Sequence, residues 1–183
     1  MKVLVACEFS GVVRDAFIAK GHDAVSCDLL PTEKPGPHYQ GDVRDILHEK
    51  WDLMIAHPPC THLCASGAKH WAWKAESGVQ EAALVFVKTL LEAPIPKIAL
   101  ENPVGIISSR IRKPTQYIQP WQFGHGETKK TGLWLVNLPA LYPTNVVSGR
   151  YPRVHREPPG PDRWKRRSVT YSGIAQAMAE QWG

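Results

Sequence analysis

The sequence predicts an α/β fold built on a doubly wound, mostly parallel sheet, and three observations predict it. Short apolar, β-branched runs end abruptly at polar or proline-rich turns. Segments of helical period lie between them. A glycine follows the first run, where a strand would turn into a helix.

Taken in order, Lys2–Cys7 reads as a short buried strand that stops at Ser10-Gly11. Ser10 is placed to cap a helix running to about Lys20, with Val13, Phe17 and Ile18 on one face and Gly21 just past its end. His22–Asp28 is a second strand, and Leu29–Gln40, with three prolines, reads as a loop leading to the polar turn Gly41–Asp45. Trp51–His57 is a strand entering Pro58-Pro59. The strongest helix is Glu76–Glu92, with Val79, Ala82, Ala83, Phe86, Val87, Leu90 and Leu91 at helical spacing. Lys97–Glu101 is a strand running into Asn102-Pro103, Thr131–Val136 is strand-like, and Tyr171–Trp182 closes the chain as a helix.

A length of 183 residues suits one domain, here residues 1–183, and suffices for a core without metals or disulfides. Apolar residues at 43% and charged residues at 21% argue against wholesale disorder. No apolar run is long enough to span a bilayer, the first residues lack a cleavable signal pattern, and four unevenly spaced cysteines form no disulfide framework. A reducing, cytoplasmic setting is the expectation. The net charge of +5 is local: residues 148–168 hold seven basic against two acidic side chains, and the remainder is neutral. That stretch lies within 139–168, which has six prolines and little periodicity and reads as an insertion. A neutral body with one basic strap suits a polyanion; the plainer alternative is a solvated, solubilising loop.

In doubly wound sheets ligands bind beyond the carboxyl ends of the strands, which puts weight on four turns. Glu8-Phe9-Ser10-Gly11 follows the first strand, where free helix N–H groups and a glycine admit a cofactor. Asp28 ends the second strand, where an acid can hold a ribose diol, and Gly41-Asp42-Val43 could meet an adenine edge; each is otherwise an ordinary turn or cap. His57-Pro-Pro-Cys-Thr-His-Leu-Cys64 holds Cys60 on a stiff turn, suited to nucleophilic work if positive charge stabilises its thiolate. A buried structural cysteine, or zinc held by His57, Cys60, His62 and Cys64, are the alternatives. Glu101-Asn102-Pro103 ends a hydrophobic strand; partial burial of Glu101 would raise its pKa and let it share a proton with a ring nitrogen, whereas pairing with a surface lysine would give it no such role.

These segments, in this order, resemble the DNA cytosine-C5 methyltransferase family. Phe9-Ser-Gly11 looks like the family's cofactor loop, Pro58-Pro59-Cys60 like its Pro-Pro-Cys nucleophile motif, Glu101-Asn102-Pro103 like its Glu-Asn-Val motif, and the segment from Tyr171 like its late helix returning to the cofactor. The resemblance implies a class I, Rossmann-like fold and S-adenosylmethionine as cofactor. Glu8, Phe9, Ser10, Gly11, Asp28, Leu29, Asp42, Val43, Pro58 and Ser172 would then contact that cofactor. It implies that Cys60 adds to C6 of cytosine while Glu101, with Asn102 beside it, assists at N3 and the exocyclic amine. Glu127–Thr131 stands where the family has Gln-x-Arg-x-Arg, and Lys129, Lys130 or His62 could supply positive charge near the thiolate.

A base in a duplex must be flipped out or supplied single-stranded, and Ser66–Lys74 interleaves charge with aromatic rings directly after the nucleophile. Lys69, Trp71, Trp73 and Lys74, with Arg163, Lys165, Arg166 and Arg167 of the strap, are the expected DNA contacts; Trp71 and Trp73 could instead pack as core. The family's long target-recognition region has no counterpart beyond the strap, which implies low intrinsic sequence specificity, or a recognition partner or homo-oligomer. Such a short enzyme suits a phage marking DNA in its host's cytoplasm. A modified sulfonium donor, a nucleotide substrate, a catalytically idle nucleic-acid-binding module, and a zinc or redox protein are the competing readings.

Overall fold

The computed structural model describes residues 1–183. Seven strands form one sheet: β1 (Lys2–Ala6), β2 (Asp23–Asp28), β3 (His38–Gln40), β4 (Leu53–Ala56), β5 (Lys97–Pro103), β6 (Gln116–Ile118) and β7 (Thr131–Val136). Their spatial order is β3-β2-β1-β4-β5-β7-β6. The first five run parallel, while β7 is antiparallel to both β5 and β6. The helices are α1 (Val12–Ala19), α2 (Trp71–Glu76), α3 (Val79–Leu91), α4 (Ile107–Arg110), α5 (Arg153–Arg156), α6 (Arg163–Ser168) and α7 (Ser172–Trp182).

The strands are apolar on both faces because both faces are covered, as a parallel sheet requires. Alternation sorts each strand between two cores. Val3, Val5, Leu53 and Ile55 pack with α1 and α7, in a cluster that includes Phe17, Met178 and Trp182. Leu4, Ala6, Met54 and Ala56 pack on the opposite side with Leu84, Val87 and Leu90 of α3 and with Trp134. Buried side chains of this kind contribute roughly 1.5–3 kcal/mol each, so the two clusters hold the strand ends that form the site.

Several elements differ from expectation. Residues 29–40 end in an edge strand, β3, because His38 locks to Ser26 of β2 through a 2.8 Å hydrogen bond. The expected helix 76–92 breaks at Gly78, whose φ of +76° separates α2 from α3. Ser10 does not cap α1: the cap is Gly11, at φ +70°, and the Glu8 carboxylate takes the N–H groups of Val13 (2.7 Å) and Arg14 (3.2 Å). Ile18 lies outward, and Arg14 takes the buried face instead. Its guanidinium is fully buried and bonded to Asp15, Ser26, Thr32 and the carbonyls of Lys34 and Pro35, which pins the loop after β2. The 139–168 segment is anchored through buried Leu141 and Val154. No helix is long and apolar enough to cross a membrane.

Candidate active site

The chain leaves β1 to build β2 and β3 on one side, then crosses to build β4 and β5 on the other, so the switch point lies between β1 and β4. Two adjoining pockets open there, and both are lined by Cys7, just past β1, and Pro59, just past β4. The first also takes Glu8, Phe9, Ser10, His57, Pro58, Cys60, Glu101, Asn102, Lys129, Arg167 and Thr170. The second takes Asp28, Leu29, Asp42, Val43 and Phe86. Asp28, Asp42, Cys60 and Glu101, up to 73 positions apart in the chain, thus border one cleft.

The turn after β4 is fastened to the turn after β5. Ala65 N donates to Val104 O and Ile106 N to Leu63 O, both at 2.9 Å, and Asn102 Nδ2 donates to Pro58 O at 2.8 Å. Gly105 permits this approach, since a Cβ there would lie 2.0 Å from the Leu63 carbonyl oxygen. Cys60 and Glu101 are therefore held in fixed relation by backbone bonds.

Glu101 is buried at the end of β5 and accepts from His57 Nδ1 at 3.1 Å. Burial alone would lift its pKa. The Lys129 charge, the His57 hydrogen bond and charge, and the Thr131 hydroxyl outweigh burial and hold it below the ordinary carboxylate value. This corrects the expectation of a raised pKa. With Glu101 ionised, Nδ1 of His57 carries the proton, and Nε2 is left buried without a partner, as is Oδ1 of Asn102.

Cys60 and Cys64 lie one turn apart, with Cys64 N donating to Cys60 O at 2.9 Å, so their thiols influence each other's ionisation. The neighbouring Cys64 thiol and burial raise the Cys60 pKa, and the Glu101 charge adds to this against Lys129. The Cys60 thiol lowers that of Cys64, helped by the Ser66 hydroxyl at 3.0 Å and the Lys74 charge. The low thiol is thus Cys64 rather than Cys60, contrary to the expectation of a directly stabilised Cys60 thiolate. No group of three or more His, Cys, Asp or Glu side chains is placed to hold a metal ion.

In the second pocket, burial raises the pKa of Asp28, opposed by the N–H of Leu30, which donates to Oδ1 at 3.0 Å. Asp42 caps the turn Val43–Asp45 and binds Arg44 through both oxygens, which lowers its pKa to about 2. Leu29, Val43 and Phe86 supply apolar walls, so carboxylate acceptors face flat apolar surface, a set that fits an adenosyl group.

Other expected site residues lie elsewhere. Glu8 lines the cleft but caps α1, so the helix N–H groups of Val13 and Arg14 are already taken. Gly11 shapes that turn: a Cβ on it would meet the Arg14 guanidinium at 2.5 Å. Lys130 points away, over the Tyr117 ring at 4.4 Å. Ser172 lies outside both pockets, near His125, and Thr170 takes the lining position. Lys74 is buried, not offered to phosphate, and Nζ donates to Thr61 O at 2.5 Å. Trp71 packs against the core, whereas Lys69 and Trp73 are exposed. In the strap, Arg163 bonds the Glu157 carbonyl and Arg166 its carboxylate. Trp164 meets Phe9 edge-on at 5.8 Å, with Lys165 Nζ 5.7 Å from its ring, and Arg167 lines the cleft with Nε unpartnered. Cys7 and Phe86 line the cleft without an assigned role in the sequence reading, which weighed His57 and Cys64 only as zinc ligands and Lys74 only as a DNA contact.

The fold is the doubly wound, mostly parallel, Rossmann-like α/β sheet expected from the sequence. Among solved structures, the chain is similar to an E. coli protein described as a "putative DNA modification methyltransferase encoded within prophage", with a TM-score of 0.50 and 13% identity. The match covers 80% of this chain and 52% of that one, so the chain spans about half of the neighbour's length, and the likeness is one of fold. No protein-family model and no curated protein sequence matches the chain.

Proposed function

We propose that this chain transfers a methyl group from S-adenosylmethionine to C5 of cytosine in DNA, with little sequence specificity of its own. The observation that carries this reading is a single cleft bordered by a cysteine, a buried carboxylate and a lysine, continuous through Cys7 and Pro59 with a pocket of two carboxylates and apolar walls. The description of the structural neighbour agrees with methyl transfer to DNA.

The cofactor, when bound, supplies an electrophilic methyl group; Asp28 would hold the ribose hydroxyls, Asp42 the adenine edge, and Leu29, Val43 and Phe86 the ring faces. C5 of cytosine is a poor nucleophile while the ring is aromatic. Addition of the Cys60 sulfur to C6 breaks the aromaticity and moves charge toward C5 and N3. Glu101 accepts from the exocyclic amine and shares a proton at N3, so that charge is neutralised as it forms. Because Glu101 is ionised in the free protein, base binding takes up a proton. Lys129 lies close enough to both groups to steady the thiolate and the carboxylate. Loss of the C5 proton then expels Cys60. The unpartnered Nε2 of His57 and Oδ1 of Asn102 are buried polar atoms suited to hydrogen-bond partners that arrive with a ligand. Arg167, Trp73 and Lys69 would contact the strand that delivers the base.

The test is incubation with S-adenosylmethionine and cytosine DNA, single- and double-stranded, followed by nucleoside mass analysis. 5-Methylcytosine and a covalent adduct on 5-fluorocytosine DNA are expected. Their absence on both substrates, or full activity in Cys60→Ala, would overturn the reading.

A further inference from the structure

The strap is less free to bind a polyanion than its charge suggests. Arg163 Nε donates to the Glu157 carbonyl at 2.7 Å, Arg166 is bonded to the Glu157 carboxylate, and Arg153 pairs with Glu127 at 2.8 Å and with Glu157 at 3.7 Å. These contacts tie α5 and α6 to each other and to the segment before β7. Trp164 adds its edge-on contact with Phe9, in the turn after β1. Arg167 stands three residues beyond Trp164 in α6, a spacing that puts both side chains on one face of the helix. That face meets the cleft, which Arg167 lines together with Phe9, Cys60, Glu101 and Lys129.

The two cations of the cleft are differently occupied. The Lys129 charge acts on Cys60 and Glu101. Arg167 takes part in none of the ion pairs of the molecule, and its Nε is buried without a hydrogen-bond partner. A buried guanidinium nitrogen with nothing to donate to is costly, and its planar fork of N–H groups is matched by an oxyanion. The oxyanion that a target base carries into the cleft is the phosphate on its own sugar.

We propose that Arg167 binds the phosphate of the target nucleotide, so that the cleft grips base and phosphate together, with the base at Cys60 and Glu101. The assignment rests on the reading of the cleft as a cytosine site. It makes recognition local: one phosphate is held by one half-buried arginine, while the other arginines of α6 hold the strap in place. A free nucleotide presents that phosphate as a monoester, and a DNA strand presents it as a diester.

The experiment uses the full chain saturated with S-adenosylhomocysteine and calorimetry with three probes. These are deoxycytidine, deoxycytidine 5′-monophosphate, and a single-stranded pentanucleotide with one central cytosine among thymines. The two phosphate-bearing probes are expected to bind about tenfold or more tightly than deoxycytidine, the scale of a hydrogen bond to a charged group. In Arg167→Met the advantage of the monophosphate should disappear and deoxycytidine binding should stay within about twofold. The log–log salt slope of pentanucleotide binding should shrink by about 0.7, one phosphate contact on a single strand. Arg167→Lys, which keeps the charge without the fork, should retain part of the advantage. An advantage shared by the monophosphate and lost in Arg167→Met supports the proposal with a free nucleotide as sufficient ligand; one confined to the pentanucleotide and lost in Arg167→Met supports it with a strand as the source. An advantage that survives Arg167→Met, or none while deoxycytidine binds, would overturn the proposal and leave the cytosine reading standing. So would a loss of S-adenosylhomocysteine affinity in Arg167→Met with nucleotide binding unchanged, which would assign the arginine to the cofactor's carboxylate. Failure of all three probes to bind would sink the cytosine reading and the proposal with it.

Discussion

The two halves of the cleft differ in what their polar groups are already doing. In the Asp28–Asp42 half, the carboxylates are held by their own loops: Asp28 by Leu30 N–H, and Asp42 by Arg44. In the Cys60–Glu101 half, His57 Nε2, Asn102 Oδ1 and Arg167 Nε have no partner. Buried polar atoms are paired in nearly all folded proteins, so a cluster of exceptions on one side of a cleft marks where a ligand's own donors and acceptors belong. The acidic half is a preformed cradle; the sulfur–carboxylate half is finished by what enters it.

The largest expected effect bears on that second half. Cys60→Ser should reduce methyl transfer on the order of 10⁴-fold or more, while S-adenosylhomocysteine binding, measured by calorimetry, stays within about twofold. Equal loss of both would erase the distinction between the halves. Glu101→Gln should lower kcat by roughly 10²–10⁴-fold in single-turnover assays, and it should remove the proton uptake that accompanies base binding. Next, Arg14→Met strips the loop after β2 of its buried donors. It should cost on the order of 3 kcal/mol in denaturant unfolding, with cofactor binding weakened more than thiol reactivity at Cys60. Asp28→Ala should weaken S-adenosylhomocysteine binding about tenfold and leave the 5-fluorocytosine adduct able to form at saturating cofactor.

The smallest effect concerns Asp42. Arg44 holds its folded-state pKa down at about 2 against the ordinary 3.8, so its stabilising contribution is present above pH 4 and is lost as pH falls toward 2. Removing Arg44 as Arg44→Met should flatten that part of the acid-unfolding curve, a shift to be read by titration of intrinsic fluorescence. An unchanged curve would show that the exposed pair contributes nothing measurable.

Residue pattern alone determined the doubly wound class, the strands β1, β2, β4, β5 and β7, the long helices, and the position of Asp28, Cys60 and Glu101 at strand ends. These follow from local periodicity and from turn chemistry, which a chain expresses wherever it folds. The edge strands β3 and β6 were not legible, because three residues give no period and their pairing depends on neighbours far away in the chain. Only the tertiary structure decided which groups face one another. Glu101 carries burial and three charge or hydrogen-bond partners whose balance sets its ionisation, and none of them is its neighbour in sequence. Gly105 lets the Cys60 turn dock on the Glu101 turn, and Lys74 turns inward because the Thr61 carbonyl that accepts from it lies there. Burial and charge pairing act through space, so the same lysine reads as a surface cation in the sequence and becomes an interior one in the fold.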